Sequence, residues 1–84
     1  MTPLEQIEVG KCAAGVYAGD YVAAPEDVVF QVRDYLEKFG LRPVRAWCRL
    51  IGFGAYFYLI YPDGQLAELK SLVAQFIQNS DYFS

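Results

Sequence analysis

The chain has no histidine. That absence removes the side chain most used as a general base near neutral pH, as a pH switch and as a metal ligand. Cysteine is scarce too, with only Cys12 and Cys48. A zinc site would have to join two distant thiols to carboxylates, without the ligand spacing of a finger or ribbon. Glycines crowd together at Gly52-Phe53-Gly54. With no third glycine, no lysine after it and a strand rather than a helix following, this is a hairpin turn and not a phosphate loop. No catalytic residue, metal or cofactor is expected.

Long apolar runs are also missing. The longest uncharged stretch, Leu50 to Pro62, falls short of the ~18–20 residues of a membrane helix and contains two glycines. The beginning, Met1-Thr2-Pro3-Leu4-Glu5, lacks the basic-then-apolar pattern of a signal peptide. Positive charge is outnumbered, 7 Lys and Arg against 10 Asp and Glu, for a net charge of −3. Nucleic-acid modules usually carry a basic balance, so general nucleic-acid binding is argued against. The expectation is a soluble cytoplasmic protein with no membrane contact. Its two cysteines are expected to stay reduced and to serve as small core hydrophobes.

What the chain has in plenty is apolar side chain. Residues 1–84 are read as one α+β domain, and a chain of 84 residues buries only about 60–65% of the surface its unfolded form exposes. Yet 55% of the residues are hydrophobic, above the usual ~45–50%, and 17% are aromatic. Some of that surface calls for cover by a second copy, a partner or a ligand.

Ile7 to Tyr17 reads as a strand. Its small residues, Gly10, Ala13, Ala14 and Gly15, would let another backbone or a ring approach closely. Ala18-Gly19-Asp20-Tyr21-Val22 reads as a turn. Pro25-Glu26-Asp27 opens a helix whose apolar stripe is Val28, Val29, Val32, Tyr35, Leu36 and Phe39. Gly40 and Pro43 stop it. From Val44 to Ile51 the period becomes two. Val44, Ala46, Cys48 and Leu50 are expected toward the helices, and Arg45, Trp47, Arg49 and Ile51 on the opposite face.

The turn at Gly52-Phe53-Gly54 sets which later rings join Trp47. A two-residue type II′ loop with Gly52 first puts Tyr56 and Tyr58 beside it. A three-residue loop slips the pairing and brings Phe57 and Tyr61 there instead. The first is favoured because it sends Phe57 and Leu59 to the core. A second helix follows, capped by Asp63, with Leu66, Leu69, Leu72, Val73, Phe76 and Ile77 on its apolar face. It frays at Gln78-Asn79-Ser80, and the tail carries Tyr82 and Phe83. The order β-α-β-β-α, with two helices on one face of an antiparallel-rich sheet, gives a two-layer sandwich whose other face is bare.

Arg45, Trp47, Arg49, Tyr56 and Tyr58 on that bare face are the candidate binding residues. Such a set suits a homodimer or protein interface, where Trp, Tyr and Arg act as anchors. It also suits a planar or cationic small molecule or, less in keeping with the charge, nucleic-acid bases.

The segment from Ile7 to Tyr21, with Gly19-Asp20-Tyr21 where the family has a Gly-Pro-Tyr turn, and the helix up to Phe39-Gly40 resemble half of a GyrI-like small-molecule-binding domain. The family repeats a strand-helix-strand-strand unit, and this chain has length for one unit where the family has two. The resemblance covers about the first half of the chain and implies a cleft for aromatic or cationic compounds between paired units. A homodimer would supply the missing half. The family's acidic cleft residue matches no position here.

Overall fold

A computed structural model describes residues 7–12, 19–52 and 54–79, with every side chain among them except those of Cys12 and Ile51. The elements are β1 (Glu8–Cys12), β2 (Gly19–Pro25), α1 (Glu26–Glu37), β3 (Arg45–Ile51), β4 (Gly54–Tyr61) and α2 (Leu66–Gln78). The strands form one antiparallel sheet in the order β1-β2-β4-β3. Both helices pack on the same side of it, giving the expected two-layer α+β sandwich.

The chain holds one strand more than the sequence reading separated. Gly19 to Val22, read as part of a turn, belong to β2; β1 ends at Cys12, and residues 13–18 lie outside the described set. The sequence Gly-Asp-Tyr-Val-Ala-Ala-Pro looks like a turn because it is rich in turn formers and small side chains. It becomes a strand because it lies between two neighbours with both faces covered, where alternation is not needed. Val22, Ala23 and Ala24 are all fully buried.

Pro25 stands at the N-cap of α1 with φ −57°, followed by Glu26 and Asp27 in the first turn. Val28, Val29, Val32 and Leu36 form its buried stripe. Gly40 takes the left-handed conformation, φ +82°, and Leu41 donates its N–H back to the Leu36 carbonyl at 3.2 Å. The helix carries the chain from β2 to β3, which run in the same direction, and β4 fills the space between them.

Asp63 does not cap α2. Gln65 holds the N-cap position with no side-chain cap, and the Asp63 carboxylate accepts from Lys11 Nζ instead. This exposed pair raises the Lys11 pKa and lowers that of Asp63, in each case chiefly through the hydrogen bond between them. The Gln65 N–H is received by Asp20 Oδ2 at 2.6 Å. Asp20 lies on β2 and is completely buried. A neighbouring strand therefore satisfies one of the orphan donors at the start of α2.

The core joins Val22, Ala24, Leu59 and Tyr61 of the sheet to Val28, Val29, Val32 and Leu36 of α1 and Leu69, Leu72 and Val73 of α2. α1 covers β2 and β4, and α2 covers β1 and β2. That leaves the edge strand β3 beyond the helices and corrects two expectations. Val44 (63% exposed), Ala46 and Leu50 (81%) are not core, and Cys48 is an exposed free thiol. The expectation for Cys12 falls on a side chain outside the described set. The tail with Tyr82 and Phe83 lies outside it as well.

Tyr61 is the largest fully buried side chain, and among the described residues its hydroxyl has no hydrogen-bond partner. Burial pushes its phenol pKa well up, with Glu37 adding to the rise and Arg33 opposing it. A pKa higher in the folded than in the unfolded state means a stability contribution complete below the unfolded value, 10.0. It is lost as pH climbs from there through the folded value. Tyr61→Phe should leave stability at neutral pH within about 1 kcal/mol of wild type. It should move the alkaline unfolding midpoint, followed by circular dichroism, to higher pH. An unchanged midpoint would assign alkaline unfolding to other groups.

Candidate functional site: the open face of the sheet

The β3–β4 ladder pairs Ile51 with Gly54, Arg49 with Tyr56, Trp47 with Tyr58 and Arg45 with Ile60. This is the register of a two-residue loop, as expected. The expected type II′ geometry is not seen, since Gly52 does not have the positive φ it requires. Phe53 lies outside the described set. On the other side of β4, Tyr58 faces Ala23, Ile60 faces Tyr21 and Tyr56 faces Pro25. Since side chains alternate along each strand, Arg45, Trp47, Arg49, Tyr56, Tyr58 and Tyr21 share the face opposite the helices.

Tyr58 is the hub of this face. The Trp47 ring stacks on it with centroids 4.2 Å apart and planes 4° from parallel. Tyr56 meets it edge-on at 5.6 Å and Tyr21 is tilted against it at 5.8 Å. The four rings are half-buried, and Ala23 and Ile60 on the same face are almost inaccessible. The side chains of this face therefore shield the strands beneath them from water. Burial, with the negative charge of Glu8 next in size, pushes the Tyr56 phenol up to about 12.

All five residues singled out from the sequence come together here. Tyr21 was missed because its segment was read as a turn. The signal was Gly10: a Cβ there would come within 3.0 Å of the Tyr21 ring, so the small residue in β1 makes room for that ring. Arg45 and Arg49 are exposed on the outer strand, and among the described residues no ion pair engages either.

An open cleft of about 390 Å³ lies at one end of the sheet, lined by Pro25, Glu26, Asp27, Gly54 and Ala55. It holds none of the aromatic rings. Among the described residues no group of three His, Cys, Asp or Glu side chains could hold a metal ion, and no helix is long and apolar enough to cross a membrane. Comparison of the chain with protein-family models, curated proteins and solved structures finds no match.

Proposed function

We propose that the protein is a non-enzymatic interaction module that self-associates, with the aromatic and arginine face as its working surface. The observation behind this reading is the parallel Trp47–Tyr58 stack, flanked by Arg45 and Arg49, on a sheet face over which no helix or strand packs among the described residues. Interface anchors are drawn from these residue types, and their rigid rings lose little entropy on contact. Static light scattering on a size-exclusion column tests it: wild type is expected as a homodimer, and Trp47→Ala as a more weakly associating protein with an unchanged circular-dichroism spectrum. A wild type that stays monomeric at high micromolar concentration rules self-association out.

The second reading is a binding domain for planar aromatic molecules, the function implied by the GyrI-like resemblance. It is favoured by the parallel Trp47–Tyr58 stack, which a planar ring would extend. Calorimetric titration with a panel of planar aromatic compounds should give heat that is lost in Tyr58→Ala. No heat across the panel eliminates it.

A further inference from the structure

Among the described residues the sheet ends at β3, seven residues from Arg45 to Ile51, with no strand beyond it. In a two-residue hairpin the closing pair, here Ile51 with Gly54, exchanges backbone hydrogen bonds, and bonded pairs then alternate along the ladder. Arg45, Trp47, Arg49 and Ile51 therefore turn their backbone groups toward β4. Ala46, Cys48 and Leu50 turn theirs outward. Among the described residues these three make no backbone hydrogen bond outside the sheet. Their side chains, exposed on the helix side, add an apolar strip to the same edge. A long apolar edge of this kind is a template for another strand.

We infer that β3 pairs antiparallel with β3 of a second copy in a register centred on Cys48, joining two four-stranded sheets into one. This rests on the self-association proposed above and says which part of the surface carries it. The side-chain pattern of the strand suits a second copy, and its charges select the register. A symmetric antiparallel pair matches only residues an even number apart, so the aromatic face meets the aromatic face and the apolar strip meets the apolar strip. A centre at Trp47 would set Arg45 against Arg49 of the other copy, and a centre at Arg49 would set that arginine against itself; like charges directly opposite destabilise a sheet. A centre at Ala46 or Leu50 leaves most of the strand unpaired. The centre at Cys48 uses the whole strand and sets no arginine directly opposite another. It places each Arg49 beside the other copy's Trp47, where guanidinium and indole attract, and each Ala46 opposite the other copy's Leu50.

Two experiments test this. The first is light scattering of the double variant Ala46→Lys, Leu50→Lys. Both side chains are exposed in the monomer, so folding is kept, but four lysines would face one another in two like-charged pairs across the dimer. The dimer dissociation constant should rise at least about tenfold. The second is thiol cross-linking with a short bis-maleimide. With Cys12→Ser removing the other thiol, Cys48 should link to its own copy. In a chain lacking both native thiols, Ala46→Cys mixed with Leu50→Cys should give mixed dimers, and either alone should give little product. A wild-type monomer overturns this inference together with the self-association reading. A wild-type dimer that the lysines leave intact and that does not cross-link at Cys48 overturns edge pairing alone, with self-association then carried by the ring-covered face.

Discussion

Replacing Asp20 by alanine is expected to cost about 2–3 kcal/mol of folding stability. A domain of this length holds only about 4–13 kcal/mol in total, so the effect is a large share. The Asp20 carboxylate is fully buried and accepts the Gln65 N–H at 2.6 Å, where α2 begins without a side-chain cap of its own. Without it that donor is left unmatched at the joint between β2 and α2. Lys11 contributes less, because its ammonium lies 3.5 Å from the carboxylate and is half-exposed to water. Asp20→Asn keeps an acceptor and should lose about 1 kcal/mol. Urea unfolding followed by circular dichroism reads both. A loss below about 0.5 kcal/mol for the alanine variant would mean that water takes over the Gln65 donor.

Gly19→Ala should be comparably harmful, at about 3 kcal/mol. Gly19 has φ +140°, a conformation that side chains with a Cβ rarely adopt. A Cβ there would also sit 2.6 Å from the Tyr61 carbonyl oxygen and 3.2 Å from the Ile60 side chain. The first contact is with backbone, so relief requires moving β2 away from β4 beside Asp20. The same urea experiment serves, and a midpoint within error of wild type would show that the strand pair yields freely. Gly40→Ala is the control. It also has positive φ, but nothing lies within 4 Å of its added Cβ, so it should carry only the conformational part of the penalty.

These two neighbours also mark where the sequence stops being legible. Gly19 and Asp20 are turn residues by type, and Asp63 before α2 is a cap residue by type. Local chemistry supports both readings. Tertiary structure reverses them, placing Gly19 and Asp20 on an inner strand where the aspartate serves the helix start that Asp63 leaves unserved. Period and punctuation were better guides elsewhere. The stripes at Val28, Val29, Val32 and Leu36 and at Leu69, Leu72 and Val73 are buried, Gly40 is a left-handed cap, and the favoured hairpin register is the one observed.

Alternation along β3 correctly separated its two faces, yet it could not tell whether the apolar one was covered. That depends on how far two helices reach across four strands. They stop short, so Cys48 and Leu50 face outward. The candidate face was legible because β3 and β4 are joined by a short turn that transmits register directly. Tyr21 arrives from a distant part of the chain, announced only by the glycine that accommodates it.

The ring cluster has an optical consequence. Trp47 is the sole indole, parallel to one phenol at 4.2 Å, and that phenol touches two more. Excitation absorbed by Tyr21, Tyr56 or Tyr58 has a short route to a single emitter, so the intrinsic fluorescence of this protein is in effect the light of one surface.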